Sequence, residues 1–366
     1  MLHIYRQITG LRRWKPVVIC QKRENAEKFP FEEIVTLKKP ATHALRRLWV
    51  KQILRRPVQI YASEARAISA AIRGCGGQVL HVYFGHIAVH LLPLLRRPPV
   101  PVIVSFHGAD AMVDMDKPAY RKAAIEMLQL AALVLVRSES LASRIVELGC
   151  PREKVRIHRT GIPLAGFPFR ERAFPTDGAW RFFQACRLIP KKGLHTSLRA
   201  FAAFTAKFPE SRFAIAGEGP LLDDLIRFSA ELGIADKVEF TGFLSQDALK
   251  ERLYRAHVFL HPSELGADGN QEGVPNSMLE AMCTGLPVLA THHGGIPEAV
   301  DNGVSGFLVA ERDHDGLAAG MFELASTPSR YAQVAQAAAK SVAERFEQSR
   351  QIAVLESCYS EAANRR

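Results

Sequence analysis

The chain has no uncharged apolar run near the roughly 20 residues that cross a bilayer, so no transmembrane helix is expected. Its opening residues, Met1 to Arg13, mix charge with apolar side chains and show no hydrophobic centre or small-residue cleavage site, so no secretory leader is expected in them. Cysteine is sparse. Cys20, Cys75, Cys150, Cys186, Cys283 and Cys358 stand singly, without a C-x-x-C pair or zinc-like spacing. A disulfide framework and a structural zinc site are thereby excluded, and buried thiols in a reducing, cytoplasmic setting fit. Signatures of nucleic-acid readers are also missing: there is no zinc finger, RRM motif or helix-turn-helix to accompany the net charge of +11, so no nucleic-acid partner is expected.

Acidic residues are scarce in the first half. Residues 1–180 hold 29 Lys/Arg against 14 Asp/Glu, a net of +15, whereas the remainder holds 19 against 23, a net of −4. Basic pairs crowd the first hundred residues (Arg12-Arg13, Lys38-Lys39, Arg46-Arg47, Arg55-Arg56, Arg96-Arg97). Such a surface attracts anions, and an anionic membrane face is the partner it suggests. Ala44–Arg56 sets Leu45, Leu48, Trp49, Val50, Ile53 and Leu54 among basic residues at close to a helical period. Two readings stand side by side: a solvated basic face over a core-facing helix, and a stripe that meets lipid at the cytoplasmic membrane.

A chain of 366 residues, 48% apolar and 23% charged, has the length and composition of two α/β domains. Short β-branched runs alternate with longer helical patterns throughout, the mark of βα units and parallel sheets. The expected strands are Val17–Cys20, Val79–Tyr83, Val102–Phe106, Leu133–Val136 and Val155–His158, then Arg181–Ala185, Arg212–Ala216, Val238–Phe240, Val258–His261, Val288–Ala290 and Phe307–Val309. Gly161–Gly178, with Pro163, Pro168 and Pro175, reads as the linker between the two sets. The expectation is an α/β fold of two Rossmann-like, doubly wound domains facing each other across a cleft. Residues 1–170 form the first, residues 171–345 the second, and residues 346–366 a C-terminal helix able to cross back to the first. Ligands of such sheets sit outside the carboxyl ends of the strands.

Four constellations fall at such ends. In Glu272-Gly273-Val274-Pro275-Asn276-Ser277-Met278-Leu279-Glu280, helix-start residues aim backbone N–H groups at an anion. Glu272 can accept from sugar hydroxyls, and Glu280 from both hydroxyls of a ribose. Arg187 and Lys192, in Arg187-Leu188-Ile189-Pro190-Lys191-Lys192-Gly193, can stabilise the charge of a departing diphosphate, while Lys191 is equally readable as solvated charge. Ala216-Gly217-Glu218-Gly219-Pro220 is either a close backbone approach to a nucleotide or a plain βα turn. In the first half, Phe106-His107-Gly108-Ala109-Asp110 places His107 where it can orient a sugar hydroxyl, and His81, Gly85 and His86 end a neighbouring strand. Asp114-Met115-Asp116 spells D-x-D but has no companion ligand at metal spacing, so it reads as surface charge and no metal site is assigned.

In this order the segments resemble those of family 4 glycosyltransferases. Arg187…Lys192-Gly193, Gly217-Glu218-Gly219-Pro220, Val238-Glu239-Phe240-Thr241-Gly242 and Glu272…Glu280-Ala281-Met282 carry the resemblance. It continues through Gly285–Thr291, Gly294-Gly295-Ile296-Pro297-Glu298 and Gly303–Val309, and more loosely through His107–Asp110 and Arg159–Pro163. The wording Ala267-Asp268-Gly269-Asn270-Gln271-Glu272-Gly273, followed by His293-Gly294-Gly295-Ile296-Pro297-Glu298, is most similar to transferases of colanic-acid and other exopolysaccharide assembly. The resemblance implies the GT-B architecture and a retaining, metal-independent hexosyltransferase without a cofactor. Its co-substrate would be a nucleotide sugar, UDP-linked in preference to GDP-linked, and its acceptor a saccharide or glycolipid. It also implies that Glu272 meets the donor sugar, Glu280 the ribose, Arg187 and Lys192 the diphosphate, and His107 the transferred sugar, with the turns at Gly217–Gly219 and Gly242 beside the nucleotide. One departure stands out: Met1–Ile8 reads as the helix that follows the family's first strand, so that strand and its glycine loop are expected to be missing from the centre of the first sheet. A nucleotide-sugar or membrane-binding protein of the same fold, without turnover, is the alternative from another class.

Overall fold

The structure, a computed structural model, describes residues 2–38, 40, 42–111, 113–266 and 271–365. The chain divides into two compact units: Met1–Gly161 with Ser349–Arg366, and Ile162–Gln348. Among the described residues its strands are β1 (Val18–Cys20), β2 (Ile34–Thr36), β3 (Leu80–Tyr83), β4 (Val102–Ser105), β5 (Leu133–Val136) and β6 (Val155–Ile157) in the first unit. The second unit holds β7 (Arg181–Ala185), β8 (Arg212–Ala216), β9 (Val238–Gly242), β10 (Val258–His261), β11 (Val288–Thr291) and β12 (Phe307–Val309).

In the first unit the winding is divided over two sheets. β3, β4, β5 and β6 form a parallel sheet in chain order with β3 at one edge, and β1 pairs with β2 in a separate parallel sheet. The helix Leu2–Gly10 precedes β1. The short strand β2 was not anticipated. β4 and β5 are buried along their whole length, which is why they read as unbroken apolar runs. On one face Val102, Val104, Val134 and Val136 pack with Ala88, Leu92 and Met127. On the other, Ile103, Leu133 and Leu135 meet Leu355, Cys358 and Tyr359 of the helix Gln348–Ala363, whose Glu361 pairs with Arg156 at 2.6 Å. Full burial of one such Leu or Val is worth roughly 1.5–3 kcal/mol.

Ala44–Arg56 forms the helix His43–Leu48, which runs on into a π-turn, Trp49–Ile53. Its apolar stripe points outward: Leu45 is 74% exposed and Trp49 55%, and Leu48, Ile53 and Leu54 are exposed as well. Arg46 and Val50 face the protein instead, with the Arg46 guanidinium 3.7 Å from the Tyr61 ring centroid. The core-facing reading therefore does not hold, because a cation–π contact occupies the inner face. No helix among the described residues is long and apolar enough to cross a membrane.

The second unit carries one six-stranded parallel sheet in the order β12-β11-β10-β7-β8-β9. This is the doubly wound order, with its reversal between β7 and β10. An aromatic core (Trp180, Phe182, Phe201, Phe204, Phe213) fills one face, and Met278, Leu279, Ala281 and Met282 fill the other. The irregular segment after Gly161 lies against this unit. Ile162 N donates to Phe346 O at 2.8 Å, and Arg172 donates to the Tyr254 and Ala256 carbonyls at 2.9 and 3.0 Å.

Candidate active site

The second unit brings Lys191, Lys192 and Glu272 together at the strand reversal. Beyond β7 the chain crosses the end of β8: Cys186 N donates to Ala216 O at 3.0 Å, and Leu188 N to Glu218 O at 2.9 Å. The crossing is so close that Gly217, at φ +136°, admits no side chain, since a Cβ would stand 1.8 Å from Cys186 O. Gly217 N donates in turn to Gly242 O at 2.8 Å, and Gly219 packs on the Leu188 backbone. The turn Gly217–Gly219 with Gly242 is thus a platform under the loop that carries Arg187, whose own side chain is exposed.

The next turn, Pro190–Lys192, is pinned from beneath. Gln184 Nε2 donates to Lys192 O at 3.0 Å, and Ser197 Oγ holds the Gln184 carbonyl at 2.7 Å. Lys191 and Lys192 are both buried. Their ammonium groups converge on one oxygen, Glu272 Oε2, at 3.5 Å from Lys191 and 2.5 Å from Lys192. Burial raises the Glu272 pKa, but Lys192, then His261 and Lys191, outweigh it and hold the carboxylate at about 2. His261, at the end of β10, is kept neutral by burial and the Lys192 charge, with its pKa lowered to about 3. Lys191 is therefore not solvated charge.

Past Glu272 the chain enters the helix Asn276–Cys283, with Pro275 at its N-cap. Ser277 Oγ donates to Ala185 O at 2.8 Å and anchors the helix start above the end of β7. Its first-turn amides and dipole favour an anion there. Val274, Met278 and Leu279 are core residues, so only their main chain can meet a ligand. Gly273 is half-buried, Asn276 is exposed and Glu280 is buried. Residues 267–270 of the exopolysaccharide-like wording, Ala267-Asp268-Gly269-Asn270, lie outside the described residues.

The first unit builds its polar cluster at the ends of β3 to β6. Arg137 Nη2 donates to His107 Nδ1 at 3.1 Å, and His3 Nε2 approaches the same nitrogen at 3.2 Å. A guanidinium only donates, so His107 Nδ1 is the acceptor and the proton sits on Nε2, 3.1 Å from Ser105 Oγ. Burial, and then Arg137, push the His107 pKa far below its usual value. Arg137 is itself buried, its pKa lowered to about 10 by that burial, and it donates to Thr160 Oγ1 at 3.3 Å. Among the described residues it has no carboxylate at salt-bridge distance. Asp110 is a structural brace, accepting from His107 N at 2.7 Å and Gly85 N at 3.1 Å. Phe84, at a strained φ of +76°, lays its ring 4.6 Å from that of His107. His81 turns to Tyr359 at 2.8 Å, and His86 is exposed. Asp114 pairs with Lys117 on an exposed turn. Arg137 was not singled out beforehand, although its place one residue beyond β5 is the same strand-end signal that marks His107.

Residues 2–165 match the family model described as Glycosyltransferase Family 4, and residues 169–341 match that of Glycosyl transferases group 1. Over 296 residues the chain is 30% identical to the GDP-mannose-dependent alpha-(1-6)-phosphatidylinositol monomannoside mannosyltransferase of Mycolicibacterium smegmatis, covering 77% of this chain and 76% of that protein. The chain belongs to this glycosyltransferase family. It is also 35% identical over 218 residues to WcaL of Salmonella typhimurium, named for colanic acid biosynthesis, covering 60% of this chain. It spans about half of that relative, 53% of its length. Among solved structures, Anabaena HepE in complex with UDP and glucose superposes with a TM-score of 0.76 at 17% identity, over 98% of this chain and 95% of that one. That likeness shows the fold, the GT-B architecture. Within this family member, Arg187, Lys192, Glu272 and Glu280 fall in the group 1 region, and His107 and Arg137 in the family 4 region.

Proposed function

We propose that this chain is a retaining, metal-independent hexosyltransferase that uses a nucleotide sugar to extend a saccharide or lipid-linked acceptor in exopolysaccharide, lipopolysaccharide or glycolipid synthesis. The observation that carries the reading is the convergence of Lys191 and Lys192 on Glu272 beside a helix start, at the reversal of a doubly wound sheet. On donor binding the phosphates take over the lysine charge, with help from Arg187 and the amides at Asn276–Met278, and the freed Glu272 carboxylate turns to sugar hydroxyls. Glu280 takes the ribose, and His107, neutral and oriented by Arg137, takes a hydroxyl of the transferred sugar. The leaving phosphate helps to deprotonate the acceptor on the same face, so no nucleophilic side chain is needed. The relatives support UDP and GDP alike: one crystal structure holds UDP and glucose, and one relative is named as GDP-mannose-dependent. UDP is the base we favour.

The outward stripe Leu45, Leu48, Trp49 and Ile53, flanked by Arg47, Arg55 and Arg56, supports peripheral binding to an anionic membrane at its cytoplasmic face. The test of the activity is release of nucleoside diphosphate from UDP-glucose, UDP-galactose, UDP-N-acetylglucosamine, UDP-glucuronate and GDP-mannose, with and without EDTA. EDTA-resistant turnover of one donor is expected. Strict dependence on a divalent cation, or silence with every donor and acceptor extract, would overturn the reading.

A further inference from the structure

The loop that delivers Glu272 leaves β10 at His261 and returns just before the helix Asn276–Cys283. Both of its flanks reach one carboxylate. Glu311, just beyond β12, accepts from Leu265 N through Oε2 at 2.8 Å, and its Oε1 lies 2.6 Å from His293 Nδ1. The other nitrogen of that ring, His293 Nε2, lies 3.0 Å from Glu272 N. A peptide N–H can only donate, so Nε2 is the acceptor and the ring proton must sit on Nδ1, facing the carboxylate. The result is a directed chain from the Glu272 amide, through a fully buried imidazole, to Glu311.

The turn that carries His293 also grips the other side of Glu272. Gly295 N donates to Glu272 O at 3.2 Å, and Gly294, at φ +56°, lies so close that a Cβ would stand 2.1 Å from that carbonyl. Both main-chain groups of Glu272 are therefore held by residues 293–295, and its side chain is left to Lys192 and Lys191. The entry flank is tied as well, since Glu264 N donates to Lys191 O at 2.9 Å and Glu264 pairs with Arg312 at 3.4 Å.

We propose that Glu311 and His293 form a strut that spans the two flanks of this loop and sets the position of Glu272, making them positioning residues for the donor sugar. Their hydrogen bonds run to Glu272 N and Leu265 N, so the strut governs how the sugar is held and bears on the lysines through the Glu272 carboxylate. The same logic governs substitution. Gln at 311 keeps one acceptor oxygen for His293 but offers an amide N–H to Leu265, so it can serve only one of the two donors. Phe at 293 keeps a ring and removes both nitrogens.

The test combines rates with a backbone readout, because only the rate arm rests on the transferase reading above. In Glu311→Ala and His293→Phe, hydrogen exchange at the Glu272 amide should quicken at least tenfold, while UDP affinity by calorimetry should not weaken. With the donor that the wild type turns over, kcat should fall at least tenfold, Glu311→Gln should lie between, and Glu311→Ala combined with Glu272→Ala should be no slower than Glu272→Ala alone. Unchanged exchange in a folded variant, judged by its melting temperature, would overturn the strut. So would losses that simply multiply in the double variant. If the wild type itself transfers no sugar, the functional reading fails, and the exchange arm still decides the strut.

Discussion

Glu272→Gln tests the charge arrangement at the strand reversal most directly. The carboxylate oxygen lies 2.5 Å from Lys192 Nζ and 3.5 Å from Lys191 Nζ. At an effective dielectric near 20, such separations correspond to gross attractions of about 7 and about 5 kcal/mol. Burial of the three groups offsets most of this, and breaking a buried pair by removing one partner costs about 3–5 kcal/mol. The amide keeps the size of the side chain but leaves two buried lysines without their carboxylate. A loss of about 3 kcal/mol lowers Tm by about 6–12 °C in a unit of this size. An anion can restore what is missing. UDP or pyrophosphate should therefore raise the Tm of the variant more than that of the wild type. It should also bind more tightly, about tenfold for each 1.4 kcal/mol, because in the wild type it competes with Glu272 for the lysines. Sugar transfer should fall at the same time. Scanning fluorimetry with and without nucleotide, followed by calorimetric titration, reads each part. A variant that melts with the wild type and binds UDP no better would show that Glu272 is not the counter-charge of the lysines.

Acid should weaken the first unit early. His3 and His81 are held at about 3, and His107 and His158 are also pushed down, in each case by burial and then by Arg137. The unfolded chain takes up protons near pH 6.5 that the folded unit refuses. Stability is therefore complete above that pH and falls toward pH 3, by up to about 1.4 kcal/mol per pH unit for each histidine. Urea midpoints at pH 7, 6 and 5 check this, and a flat profile would contradict it. Gly217→Ala, whose Cβ would meet Cys186 O, should cost at least about 2 kcal/mol and weaken nucleotide binding, both measurable by thermal shift. Trp49→Asp should leave Tm unchanged, because the ring is exposed, and reduce co-sedimentation with phosphatidylglycerol vesicles several-fold. Equal sedimentation of variant and wild type would remove lipid as the partner of that stripe.

Strands buried on both faces were the legible part of the fold. Leu133–Val136 and Val288–Ala290 read as apolar runs because neither face meets water. β2 escaped because Ile34 and Val35 are only partly buried, Thr36 is exposed and the strand follows Glu32-Glu33, so no run stands out. In Ala44–Arg56 the helical period was visible but its direction was not, since a period cannot say which side carries a partner such as Tyr61. Lys192 and Glu272, which the structure brings together, were singled out through the strand-end rule. The burial of Lys191 was not, because a lysine in a basic run looks alike on a surface and in a pocket. The Glu311–His293 chain was invisible for another reason: residues just beyond β12 and β11 meet a loop after β10 only once the sheet order brings them together.

The helix Gln348–Ala363 sets the order in which the molecule can be completed. Every residue of the second unit has been made before Leu355, Cys358 and Tyr359 exist to cover Ile103, Leu133 and Leu135. The unit begun first is thus closed last. A nascent chain halted near residue 340 would present a nearly whole second unit joined to a sheet with one bare apolar face. Synthesis from the ribosome normally favours N-terminal units, and here it leaves the first one dependent on its final turns and on whatever shields that face until they arrive.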